Sequence, residues 1–325
     1  MQRSPAFVLV AVVLASIGTV LARQPEAFVV AIVRDDGLVL PIATHDRGRW
    51  RTPWPGPTKE AEVPVRLDDC PLAWWGLAAA PRQWTLYAPD AAPQPFTIDR
   101  TTWVPSYCQQ QVVLESRAAR RHQMRPPEGP RAPKHGVAVT GDATVTLPRA
   151  VPADSAEGRA LLDGVHAAFN REERLMLARD YFTVYTPSLP GDERDRMPVR
   201  ALSIHAGPAR AGGLAYYVEL ERRYPRRAPV QLQWCDEVTY MTGWAHVGND
   251  ETLELSLVGI DVTSCLLDSV VRVTPHAVID SPKGPVWLLE EYRREGEAYS
   301  LHLAPDRNGH DLLARRFAGV CASQD

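Results

Sequence analysis

The sequence predicts a mainly β chain, a β-rich α+β protein built from two antiparallel β units. Runs of Val, Ile, Leu, Thr and aromatic residues recur along it, most densely from Val199 to Leu303. Such residues suit the pleated, half-buried surface of a strand. Compact turns separate the runs, among them Asp36-Gly37, Gly212-Gly213, Gly248-Asn249-Asp250 and Pro282-Lys283-Gly284; short turns join sequential antiparallel neighbours. Helical spacing is confined to 154–179. The C-terminal unit therefore reads as a multi-stranded meander with a short helical insertion.

Residues 1–22 stand apart. Arg3 supplies a positive head, Ala6–Leu21 an apolar run, and Val20-Leu21-Ala22 a cleavage site ending in a small residue. This order is that of a secretory signal peptide. An uncleaved anchor is the alternative, because about 16 apolar residues approach the length that spans a bilayer. The polar Arg23-Gln24-Pro25 that follows favours cleavage. The expected location is exported, periplasmic or secreted, with no membrane span left in the mature chain.

An N-terminal β domain is expected over 24–115. Phe28–Val33 and Leu38–Leu40 flank Asp36-Gly37 as a hairpin. Ile42–Thr44 continues the second strand, and Arg47-Gly48 turns into Trp50. Further strands are expected at Val63–Leu67, Gln83–Tyr87, Phe96–Ile98 and Gln111–Leu114. Residues 116–135 read as a linker: Arg117, Arg120 and Arg121 precede Pro126, Pro127, Pro130 and Pro133, and prolines at that density continue neither a helix nor a central strand.

The second unit is expected over 136–321. Gly136–Val139 and Thr144–Leu147 open it as strands. Asp154 or Ser155 can cap a helix whose apolar stripe is Leu161, Leu162, Val165, Ala168 and Phe169. Asn170 with Glu173 three residues on suggests a recapped second helix to about Arg179. Seven strands are then expected, at 199–206, 214–224, 237–247, 251–262, 270–279, 285–294 and 299–303. Leu253, Leu255 and Leu257 share one parity and Val258, Ile260 and Val262 the other. A bulge around Gly259 accounts for the switch.

Without Arg3 the chain carries 35 basic against 39 acidic side chains. So mild a balance argues against a nucleic-acid partner. Five cysteines in an exported chain point to disulfides, and no Cys-x-x-Cys pair is present. Cys235 and Cys265 are mirror positions about Asp250, which makes them one expected pair. Cys70 with Cys108 is the other, leaving Cys321 over.

Catalytic patterns are sparse. His205, His276 and His302 lie on expected strands, but no two histidines have ligand spacing, so no metal or cofactor is expected. Asp236, Glu237, Glu254, Glu290 and Glu291 could supply the carboxyl pair of a glycosidase, although outer strand faces carry such residues routinely. Gly-x-Ser-x-Gly, Ser-x-x-Lys and phosphate-loop patterns are missing. Trp74-Trp75 is the most unusual aromatic pair and a possible binding surface, since one of two successive strand residues faces outward. The segment Arg222–Arg227 reads as a solvated loop or a contact for an anionic polymer.

The pieces Gly37–Thr44, Trp74-Trp75-Gly76 and Cys235–Thr239 with Gly243-Trp244 resemble those of uncharacterised exported bacterial proteins. That resemblance implies export and carries no activity or residue role. The function expected is non-enzymatic: a binding or structural component of the cell envelope or extracellular space, its partner a glycan or envelope protein. The alternative is a carboxylate-dependent hydrolase of envelope or extracellular glycan.

Overall fold

The computed structural model describes residues 27–61, 66–116, 131–178, 189, 191–210, 212–224, 237–247, 253–264, 270–306 and 309–321. Residues 1–22, expected as a signal peptide, and most of 116–135, expected as a linker, lie outside these.

Strands β1 (Ala27–Arg34) and β2 (Val39–Asp46) pair through the Asp36-Gly37 turn, where Gly37 has φ 78°. After Arg47-Gly48, at φ 48° and 77°, the short β3 (Arg49–Arg51) folds back on β2. Two successive left-handed residues make the tight turn whose twist matches a hairpin. Next come β4 (Gln83–Tyr87), β5 (Gln94–Ser106), β6 (Gln109–Ser116) and β7 (Lys134–Val139). The strand order is β1-β7-β4-β5-β6-β2, and β2 also pairs with β1. Six strands therefore close a barrel, and β3 extends from it as a free edge.

The rest of the chain is a sandwich. Strands β8 (Val145–Thr146) and β9 (Arg149–Ala150) lead to α1 (Ala156–Ala178) and the single turn α2 (Gly191–Arg194). One sheet holds β9, β10 (Arg200–Pro208), β11 (Leu214–Tyr224), β12 (Glu237–Val247) and β13 (Leu253–Ser264). The other holds β8, β14 (Arg272–Ile279), β15 (Val286–Arg293), β16 (Gly296–Asp306) and β17 (Gly309–Val320). All pairings are antiparallel, as a mainly β fold with short turns requires.

Side-chain alternation sets the stacking. On β15, Trp287 and Leu289 face the first sandwich sheet and pack with Tyr217 and Trp244. Val286 and Leu288 face the other way and join the barrel core with Ile32, Val39 and Val113. On the far side of the first sheet, Leu161, Val165 and Phe169 of α1 cover Val218, Leu220 and Met241. The layers thus run helix, sheet, sheet, barrel. Gly207 permits one close approach, because a Cβ there would lie 2.8 Å from the Trp287 ring.

Several boundaries differ from the sequence expectation. Gly136–Val139, expected to open the second unit, belong to β7 and pair with β1 and β4 in the barrel. Burial against the barrel core outweighs sequence proximity to the sandwich. The halves also share a core: Ala277, Ile279, Leu301 and Leu303 lie in one cluster with the barrel strands. A boundary at 116–135 does not separate two cores.

The expected meander is two facing sheets, divided between β13 and β14. The helix is continuous, and Asn170 and Glu173 are interior to it rather than a new start. Ser155 caps it by accepting from the Gly158 N–H at 3.0 Å. Leu67 opens a 3-10 turn instead of ending a strand. Strand β17 was not expected, since His310–Val320 has no sustained apolar alternation. The Gly259 bulge is present: the register slips between Thr242↔Gly259 and Gly243↔Leu257. Among the described residues no helix is long and apolar enough to cross a membrane.

Candidate functional site

The aromatic pair does not form a surface. Trp74 ends a 3-10 turn, Leu72–Trp74, so neither residue follows strand alternation. Trp75 is fully buried, its ring 4.8 Å from that of Trp54. Trp74 is half-buried with its ring 5.5 Å from Trp54. Trp54 is itself core and donates its indole N–H to the Val112 carbonyl at 3.0 Å. Trp54 and Trp75 belong to the barrel core and Trp74 packs against it.

The cysteines are paired differently from expectation. Cys108 bonds to Cys321, and Cys70 is a buried thiol. The β5–β6 hairpin carries Cys108 to the end of β17, while the Cys70 sulfur faces the Arg66 carbonyl. Burial, with Asp69 and Asp68 beside it, pushes the Cys70 thiol up to about 11, so it stays protonated. Cys235 and Cys265 lie outside the described residues; the ladder between them is described as far as Glu237↔Ser264.

The carboxylates do not converge. Glu290 is wholly buried on the barrel side of β15. It accepts from Arg131 Nε and Nη2, each at 2.8 Å, and meets His276 Nε2 at 2.8 Å, with Lys134 Nζ at 3.5 Å. Burial by itself would raise this carboxyl. The His276 and Arg131 hydrogen bonds and the Lys134 charge outweigh it and hold the group well below the carboxylate range. Glu291 has the opposite parity and pairs with Arg315. Glu254 is exposed at the far sheet, 3.3 Å from His246. Glu237 is buried against Arg194, and Asp236 lies outside the described residues.

The other buried charges are also bound into the fold. Glu173 on α1 accepts from Arg194 and Arg222, each at 3.0 Å, and from the Thr239 and Tyr224 hydroxyls. Arg222 and Arg223 therefore belong to β11, not to a solvated loop; Arg222 is fully buried and also donates to Asn170. Residues 225–227 lie outside the described part. Glu219 joins the two sandwich sheets, taking both Arg272 donors at 2.9 and 3.0 Å. Of the histidines considered as ligands, His276 lies on the barrel side with Glu290, and His302 sits between the sheets with its ring 5.3 Å from Trp244. Among the described residues no group of three or more His, Cys, Asp or Glu is arranged to hold a metal ion.

What the structure does create is a groove of about 310 Å³ at the seam of barrel and sandwich. One wall is the β2–β3 hairpin, with His45, Gly48, Arg49, Trp50 and Arg51. The other is the β14–β15 turn, with Ser281, Pro282 and Lys283, and Leu313 of β17 also lines the groove. Ser281 shapes the turn by donating to the Gly284 carbonyl at 2.7 Å. The Trp50 ring packs edge-on to Phe28 at 5.5 Å and against His45 at 5.0 Å. His45 is 4% exposed, and its Nδ1 has no hydrogen-bond partner among the described residues. Burial lowers its pKa despite the Asp46 charge, so the ring is neutral at neutral pH.

The groove is cationic. Arg49, Arg51 and Lys283 reach it from the two walls. Asp46 lies beside them, 4.0 Å from Arg51 and 3.8 Å from Arg47. Lys283 and Arg49 form no ion pair among the described residues. The sequence signal was present in part, as Arg-Trp-Arg following a tight turn. Lys283 lies more than two hundred positions downstream, and nothing local connects it to that motif. No protein-family model, no curated protein and no solved structure matches this chain.

Proposed function

We propose that this chain is an exported, non-enzymatic binding protein of the cell envelope or extracellular space, and that its ligand occupies the groove between barrel and sandwich. The groove carries this reading. Its volume reaches the lower end of the range of small-ligand sites, and cationic side chains meet there from distant parts of the chain. Support for export comes from the order of charge, apolar run and small-residue site in residues 1–22.

The hydrolase alternative needs two carboxyls flanking one cleft. Glu290 and Glu291 face opposite sides of β15, and Glu254 sits on another sheet. None of the three lines the groove. The test is a screen of envelope glycan fragments and envelope-protein peptides, read by tryptophan fluorescence and by mass spectrometry of the recovered ligand. Binding that Lys283→Glu abolishes, with the ligand recovered unchanged, is the expected result. Turnover of a glycan that Glu291→Gln or Glu254→Gln removes, with the fold intact, would replace this reading by the hydrolase.

A further inference from the structure

We propose that the groove takes an extended acidic peptide, added as a further strand on the free edge of β3, with acidic side chains two residues apart meeting Arg49 and Arg51. The inference rests on the binding reading above and names the chemistry of the partner.

The backbone comes first. The turn Arg47-Gly48 is a two-residue hairpin loop, so Asp46↔Arg49 is the hydrogen-bonded pair and His45↔Trp50 the next, non-bonded one. In a non-bonded pair both backbone groups point away from the partner strand. The Trp50 N–H and C=O therefore face outward from β2. Strand β3 ends its sheet, and no other described strand pairs with it. Trp50 itself is one of the residues that line the groove. An edge of this kind is what a peptide in extended form recognises.

Side chains then set the sequence of the guest. Arg49 and Arg51 flank Trp50 and both are exposed. A strand laid against β3 places residues two apart opposite them, because side chains alternate. Its intervening residue exchanges hydrogen bonds with Trp50. Lys283 supplies a third positive charge from the facing wall. Asp46 is the acid on this face, and it is shared with Arg47 and Arg51 at 3.8 and 4.0 Å, distances that leave the guanidinium donors free for closer acceptors.

An anionic glycan is the competing occupant, and the indole argues against it. Sugar recognition uses an open aromatic face, whereas the Trp50 ring is partly buried, edge-on to Phe28 and packed against His45 beside the barrel core.

The test uses the full exported chain and fluorescence anisotropy. The probes are a capped peptide alternating Glu with Thr or Val, its Gln counterpart, two N-methylated forms of the Glu peptide, and an oligogalacturonate as a polyanion without a peptide backbone. The Glu peptide is expected to bind and to weaken with added salt. The Gln peptide, and the Arg49→Ala/Arg51→Ala variant with the Glu peptide, should each bind about tenfold more weakly or worse. N-methylation of the Thr and Val residues, which face Trp50, should abolish binding, and N-methylation of the Glu residues should be tolerated. Unchanged melting temperatures in the variants guard against misfolding.

Equal binding of the two N-methylated peptides would overturn the strand geometry. Oligogalacturonate binding that depends on Lys283, without peptide binding, would overturn the peptide and leave the groove as a binding site. Failure of every probe here while another ligand in the envelope screen binds the groove would likewise remove this inference alone. Failure of both screens would remove the binding reading as well.

Discussion

Glu290 and Glu291 are adjacent in the chain and opposite in environment. Glu290 is held by Arg131, His276 and Lys134 with no exposure, so Glu290→Gln removes the buried anion they share, and of the three Lys134 keeps a second carboxylate, Glu297 at 3.1 Å. Breaking a buried ion pair in this way costs about 3–5 kcal/mol, measurable as a shift in urea midpoint. Glu291 pairs with an Arg315 that is 44% exposed, and Glu291→Gln is expected to cost at most about 1 kcal/mol. Equal losses in the two variants would contradict the burial difference. The Glu290 carboxyl lies below its unfolded value, so its contribution is complete above about pH 5 and declines as pH falls. His302 titrates to the same effect by another route. Burial, helped by the charges of His310 and Arg315, pushes its imidazole down to about 3. The unfolded chain takes up that proton near pH 6.5, so stability falls as pH drops from there toward about 3. His302→Phe should make the decline shallower between pH 7 and 4; parallel curves for parent and variant would refute this.

At the scale of elements, the disulfide is the tie with the longest reach. It fastens the tip of the β5–β6 hairpin to the end of β17, across 213 positions. In the chain-entropy account a loop of that order is worth about 5 kcal/mol. Cys108→Ser with Cys321→Ser should lower the unfolding free energy by up to that amount and leave the strand signal in circular dichroism unchanged. Non-reducing peptide mapping should recover Cys108 linked to Cys321, and a Cys70–Cys108 fragment would show that the hairpin tip points elsewhere. The cap of α1 is a smaller lever. Ser155→Ala removes the acceptor for the Gly158 N–H and should cost about 1 kcal/mol.

For the whole molecule, the question is whether barrel and sandwich are separable. Three links say they are not: the shared core through Val286, Leu288, Leu301 and Leu303, the Arg131–Glu290 contact, and the disulfide. Each large apolar side chain buried in that seam contributes about 1.5–3 kcal/mol. An Arg-specific protease acting among Arg117, Arg120, Arg121 and Arg125 should nick the chain. The nicked protein should then elute as one particle even under reducing conditions, and unfold in one transition. Two fragments that separate without denaturant would mean each half has a sufficient core of its own.

The sequence by itself determined what depends on neighbours in the chain. Turn residues with left-handed backbone placed the β1–β2 and β2–β3 hairpins, alternating apolar runs placed β4 and β10–β16, and the parity change in β13 located the bulge beside Gly259. These are local consequences of backbone sterics and of which face is buried. Only the tertiary structure decided the partners. That β7 closes the barrel, that β17 exists as an edge strand, and that Cys108 meets Cys321 all follow from contacts between distant segments. The groove is of the same kind. In the sequence Trp50 only follows the Arg47-Gly48 turn and Lys283 sits in a turn of its own, until the packing of sandwich on barrel brings them to one seam. Burial and charge balance are properties of the assembled layers, and no window of sequence carries them.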